Sequence, residues 1–264
     1  MARSEIGSVF ARAAADQRLA VMPFLVAGDP SIEETVRLAE ACAAGGADLI
    51  EIGWPFSDPI ADGPTIQAAS KRALDRQVGR AEVLEVLTQV RRRTGLPVLL
   101  LSYLNVLLSM NDLGPLKAAG VCGLIIPDLA LDEPAAIRVR ARALDLPVIP
   151  FAAPTSTDQR LSEIGRTIDP DAFVYCVSLL GVTGQRQGVS QAALGLLQRA
   201  RERIAAPLAV GFGISGPDAV SAVSRHADGV IVGSALIDLV QRQGRKAAVA
   251  VERFVADLVH AGHR

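Results

Sequence analysis

Short apolar runs alternate with amphipathic stretches along this chain. Ser4–Ala15 puts Ile6, Val9 and Phe10 at helical spacing, which predicts a helix ahead of the first strand. Leu19–Ala27 reads as that strand, and Gly28-Asp29-Pro30 ends it. Ser31 caps a helix running to about Ala44, with Glu34 as its capping-box partner, before Gly45-Gly46 stops it. The second strand, Leu49–Gly53, leads into a Pro- and Gly-rich loop and a short helix at Pro64–Leu74. Arg80–Thr94 shows Val83, Leu84, Leu87 and Val90 on one face. Its last turn holds Arg91-Arg92-Arg93, where cations suit the helix dipole.

The alternation continues to the end. Strands are predicted at Pro97–Leu104, Gly123–Asp128, Pro147–Ala152, Ala172–Ser178, Pro207–Gly213 and Gly229–Gly233. Helices follow near Asp112–Ala119, Asp132–Ala143, Thr157–Ile168, Ser190–Ile204 and Gly216–Ser224, with further helical segments to about His260. Eight short apolar strands, each followed by a helix, are what a parallel sheet with both faces covered requires. The fold class is α/β: a single (β/α)8 TIM barrel spanning residues 1–264, with an extra N-terminal helix. An open Rossmann-like sheet is the alternative, but no G-x-G-x-x-G follows an early strand. Composition shows no linker and no low-complexity tract.

A length of 264 residues suits that barrel. The formal net charge of −1, with charged residues spread evenly, points away from nucleic acid and from anionic membranes. Cys42, Cys122 and Cys176 are isolated, as expected of reduced thiols in a cytoplasmic protein. Neither a signal peptide nor a membrane span is expected. His226, His260 and His263 lack metal-ligand spacing, so no metal site is expected.

Against that background Leu49–Thr65 stands out. A carboxylate, Glu51, interrupts an apolar strand, and burying it is costly unless it has a partner or a task. Alternation with Ile50 and Ile52 turns Glu51 into the barrel, where low polarity raises its pKa and fits it for proton transfer. The stiff loop after Gly53 carries two further carboxylates, Asp58 and Asp62. A second carboxylate there stays ionised if it is exposed, giving an acid–base pair with separated roles. Spacing alone does not choose between Asp58 and Asp62. Three glycine-bearing strand ends crowd the last third: Gly181-Val182-Thr183-Gly184, Gly211-Phe212-Gly213 and Gly233-Ser234. Main-chain amides there, with helices starting just beyond, make a phosphate site.

The run Pro55-Phe56-Ser57-Asp58-Pro59-Ile60-Ala61-Asp62-Gly63-Pro64-Thr65-Ile66-Gln67 resembles the tryptophan synthase α subunit family. Pro23-Phe24, Gly28-Asp29-Pro30, Gly181–Gly184 and Gly211–Ser215 fall in the matching order, so the resemblance spans nearly the whole chain. It implies a carbon–carbon lyase that cleaves indole-3-glycerol phosphate to indole and glyceraldehyde 3-phosphate. By the same resemblance Glu51 is the principal acid–base group, and Asp62 accepts from the indole N–H. Phe24, Tyr175, Thr183 and Phe212 would surround the substrate, while Gly184, Gly213, Gly233 and Ser234 would hold its phosphate under a closing loop, Leu179–Val189. The family barrel carries no cofactor; its partner in an α2β2 assembly is a pyridoxal-phosphate β subunit, contacted here by Asp58, Pro59 and Asn105. Trp54 and Leu179-Leu180 depart from the family pattern. They leave open neutral packing, an altered partner surface, or a stand-alone lyase releasing free indole. A non-catalytic phosphate-binding barrel is the reading from a different class.

Overall fold

Packing of the apolar runs produces one continuous parallel sheet rolled into a cylinder. The computed structural model describes residues 4–131, 136–177, 190–211 and 213–264. Its strand segments are β1 (Ala20–Val26), β2 (Ile50–Gly53), β3 (Val98–Leu101), β4 (Val121–Ile125), β5 (Val148–Ile149), β6 (Phe151–Ala152), β7 (Val174–Val177), β8 (Leu208–Gly211) and β9 (Gly229–Val232). They lie in the order β5-β4-β3-β2-β1-β9-β8-β7-β6, and all pair in parallel.

Nine segments make eight staves. The predicted fifth strand, Pro147–Ala152, is split at Pro150, which has no N–H to give to a ladder. Its first half bonds β4 and its second half bonds β7. The Pro150 carbonyl accepts from the Tyr175 N–H at 2.9 Å, which carries the seam across the break.

Helices cover the outside, and their starts follow the sequence. Ser4, Ser31, Thr157 and Ser190 each accept from the backbone N–H three residues on. The reciprocal arm expected of Glu34 is not made: its carboxylate takes Arg37 at 2.5 Å instead. Helix Arg80–Thr94 appears as read, with its arginines in the last turn and Gly95 in the left-handed conformation that ends it. One helix was not foreseen. Leu104–Leu108 turns off directly after β3, which is shorter than its apolar run.

The strand residues are almost wholly buried, as a sheet packed on both faces demands. Trp54, one of the two departures from the family pattern, is only 8% exposed. Its side chain belongs to the core, which favours the packing reading of that departure. Leu179-Leu180 lie outside the described residues. Among the described residues no helix is long and apolar enough to cross a membrane.

Candidate active site

Register decides what stands beside Glu51. Parallel pairing aligns Phe24 of β1, Glu51 of β2 and Leu99 of β3 across the cylinder. Glu51 is 1% exposed, and among the described residues neither of its carboxylate oxygens has a hydrogen-bond partner. Burial, and then the nearby charge of Asp62, pushes it up to about 8. A buried carboxyl in that state is largely protonated at neutral pH and can give or take a proton there.

Asp62 lies on the loop after β2 and is half-buried rather than exposed as expected. Burial pushes it up to about 6, and the neighbouring Tyr103 hydroxyl offsets part of that rise. The two acids therefore separate in the sense predicted, with Asp62 the one that ionises first. Asp58 is exposed and takes the Ser57 hydroxyl at 2.5 Å. Of the two loop aspartates, Asp62 is the one whose charge acts on Glu51.

Two aromatic rings line the same end. Phe24 is held where Gly53 and Gly233 leave room; a Cβ on Gly53 would come within 2.6 Å of the ring, and one on Gly233 within 3.3 Å. Tyr175 of β7 occupies the space that a side chain at Gly211 would need, with ring and hydroxyl atoms 2.3 Å from a Cβ there. Burial, followed by the charges of Glu51 and Asp62, holds the Tyr175 phenol well above its ordinary value. Phe24, Tyr175, Glu51 and Asp62 are thus one neighbourhood. The sequence singled out Gly211 as part of an anion loop, whereas the structure shows it making room for a ring.

Gly233 precedes helix Ser234–Gln243, and its carbonyl accepts from the Leu236 and Ile237 N–H groups. Ser234 is exposed at that helix start. Gly213, at φ +78°, takes the left-handed conformation that glycine permits, just past β8. Thr183, Gly184 and Phe212, with the loop Leu179–Val189, lie outside the described residues. Asn105 is exposed on helix Leu104–Leu108, and Pro59 is half-buried beside Ile60, which is 84% exposed. Among the described residues no His, Cys, Asp and Glu group could hold a metal ion.

Tyr103 is the residue that sequence reasoning underrated. It was placed at a strand end without a role, yet its hydroxyl accepts from the Ala61 N–H at 3.0 Å and its ring stacks on Phe56. Arg72 was also passed over. It holds buried Asp29 with two bonds of 2.7 and 2.8 Å, tying the loop after β1 to the helix that follows Asp62.

Comparison with known proteins places the whole chain in one family. Residues 10–261 match the family described as tryptophan synthase alpha chain. The chain is 45% identical over 243 residues to the tryptophan synthase alpha chain of Chloroflexus aurantiacus, covering 90% of this chain and 91% of that one. It is 43% identical over 266 residues to that of Chloroflexus aggregans, covering 99% of each. A solved structure of Mycobacterium tuberculosis tryptophan synthase superposes with a TM-score of 0.90 at 32% identity, covering 100% of both chains. With the barrel and the near full-length match in agreement, this chain belongs to the tryptophan synthase alpha chain family.

Proposed function

We propose that the chain cleaves indole-3-glycerol phosphate by a retro-aldol reaction, giving indole and glyceraldehyde 3-phosphate in tryptophan biosynthesis. The observation that carries this reading is a buried Glu51 with both oxygens unbonded among the described residues, near a second acid of lower pKa. Family membership supports it.

Glu51 enters protonated and gives its proton to indole C3. The indole nitrogen becomes cationic, and ionised Asp62 accepts its N–H and stabilises that charge. Glu51, now a carboxylate, takes the proton of the glycerol hydroxyl next to the ring. The carbon–carbon bond then breaks, its electrons return to the indole, and the hydroxyl oxygen becomes the aldehyde. A pKa of about 8 lets one group serve in both directions near neutrality. Phe24, Tyr175, Thr183 and Phe212 enclose the ring, while amides at Gly184, Gly213, Gly233 and Ser234 hold the phosphate. The chain itself takes no cofactor. It works in the cytoplasm with a pyridoxal-phosphate β subunit in an α2β2 assembly, docking through Asp58, Pro59 and Asn105.

The test is indole release from indole-3-glycerol phosphate, measured with and without a cognate β subunit. Glu51→Gln should lose about 10²-fold or more in turnover. Near-full turnover in that variant would falsify the assignment.

A further inference from the structure

The helix that follows Asp62 has few apolar contacts to hold it on the barrel. Pro64–Asp75 fully buries Ala69, Ser70 and Ala73, all small, while Ile66 and Leu74 are half-buried. Its neighbours are anchored differently. Helix Arg80–Thr94 buries Val83, Val86, Leu87 and Val90, and helix Ser234–Gln243 buries Leu236, Ile237 and Val240. Small side chains let a helix lie close but remove little apolar area from water. Val78, just beyond the helix, lies over Gly28, where an added Cβ would meet it at 2.4 Å. That contact sets where the segment ends, not how the helix axis is turned.

Arg72 supplies the missing restraint. Its guanidinium donates to the Asp29 carboxylate from Nε at 2.7 Å and from Nη2 at 2.8 Å. A planar fork of this kind fixes angle as well as distance. Asp29 is a firm point: it is 5% exposed, and its N–H donates to the Val26 carbonyl at 3.2 Å. Beside it, the Gly28 N–H donates to the buried Thr35 hydroxyl at 3.1 Å. Gln241 of helix Ser234–Gln243 joins the same guanidinium: with its amide oxygen turned inward it accepts at 3.0 and 3.3 Å. At its other end the helix holds the loop. The Gln67 amide donates to the Asp62 carbonyl at 2.9 Å and reaches the Pro59 carbonyl at 3.5 Å. The preceding residue, Ala61, donates its N–H to the Tyr103 hydroxyl at 3.0 Å. We propose that Arg72 is a positioning residue for Asp62: it clamps helix Pro64–Asp75 to the loop after β1, and Gln67 passes that placement to the acid. This rests on the lyase reading above and deepens it. Helix Ser234–Gln243 keeps its own apolar anchors, so loss of Arg72 shifts the acid and leaves the anion turn after β9 in place.

Arg72→Met keeps an unbranched side chain and removes the fork. In the complex with a β subunit, kcat for indole release should fall about tenfold, since even a small misplacement of a reacting group is costly. KM should stay within about twofold, because the anion turn does not move. In an Asp62→Asn background the same change should cost less than about twofold in kcat, since the group that Arg72 places is gone. A residue that only supports the fold would cost the same factor in both backgrounds, and equal factors overturn the proposal. Should Arg72→Met not fold, Arg72→Lys takes its place in the cycle: it keeps a cation beside Asp29 without the fork, and about threefold is expected. Hydrogen exchange needs no substrate. Amides of residues 66–75 should lose protection in the variant while those of Arg80–Thr94 keep theirs. Should the wild-type complex release no indole, the lyase reading fails and exchange alone decides. Selective loss of protection then supports the clamp, and unchanged or uniform protection overturns it.

Discussion

Asp48 and Glu51 stand three residues apart at the start and middle of one stave, and the structure treats them oppositely. Asp48 receives the Arg18 guanidinium through two bonds of 2.6 and 2.8 Å and the Val21 N–H at 2.9 Å. The same economy runs along the amino end of the barrel. Asp228 accepts from Arg201 and from the Leu208 N–H, and Arg264 donates to the Ser224 and Ala227 carbonyls. A cavity of about 320 Å³ opens at that end between Phe10, Arg18, Asp171 and Asp228, and the arginines around it are already committed to protein partners. The Glu51 carboxyl, by contrast, is as deeply buried and has no hydrogen-bond partner among the described residues. Paired charge at one end ties the strands together; the buried carboxyl inward of the other end holds its proton at neutral pH. In this fold the strand amino ends serve stability and the carboxyl ends serve chemistry.

That contrast breaks if the two acids respond alike to removal. Replacing Glu51 by Gln should cost about 10²-fold or more in turnover, at least about 3 kcal/mol in the barrier, with no loss of folding stability. Its pH dependence is diagnostic. Glu51 titrates at about 8 in the fold against an ordinary 4.5, so the folded chain holds this proton more tightly than the unfolded one. Its contribution therefore falls as pH rises from about 4.5 to about 8 and is flat outside that window. Asp62 acts in the same sense between 3.8 and about 6. Thermal melts of Glu51→Gln between pH 5 and 8 should decline less steeply than those of the wild type. Parallel slopes would show that Glu51 is not held in the state described.

Asp48→Ala should do the reverse. Breaking this pair leaves Arg18 half-stranded, with Asp16 at 3.6 Å as its remaining acid, and should lower stability by about 3 kcal/mol. Turnover per folded molecule should stay near wild type. Denaturant melts and kcat on the same preparation settle this, and a large fall in kcat without a fall in stability would erase the distinction between the ends.

A finer version concerns Gly211. An added methyl there meets the Tyr175 ring at 2.3 Å, so Gly211→Ala must push the ring or the strand end aside. About 1–3 kcal/mol of stability should go, and KM should rise because the displaced ring lines the site. An unchanged KM would mean that Tyr175 does not border the substrate.

Much of this was legible beforehand, and the gaps have physical causes. Periodicity marks buried strands, so the eight staves and the inward Glu51 could be read directly from Leu49–Gly53. Cap residues such as Ser31 and Ser190 announced their helices because the signal is local. Pro150 and the early turn after Leu101 were missed because an apolar run does not say where its ladder stops. Tyr103 read as one more strand-end aromatic, since its partner Ala61 lies 42 residues away and no local pattern links them. Asp62 was expected to be exposed because its loop is polar and rich in turn residues. The loop folds back over the cylinder, and the closeness of Tyr103 and Glu51 follows from that.

The interruption at Pro150 has a bearing on how the molecule divides its labour. Counting from that seam, the first five segments carry the proton-handling side chains, and the remaining four, β6 to β9, lead into the glycine turns that would grip the ester anion. Among the described residues the two halves share a single strand ladder, β1–β9, and the Pro150 seam, with the last two long helices packed against elements of the first half. A slight rocking of one half-cylinder on the other would change the reach from acid to anion while leaving each group's own surroundings intact.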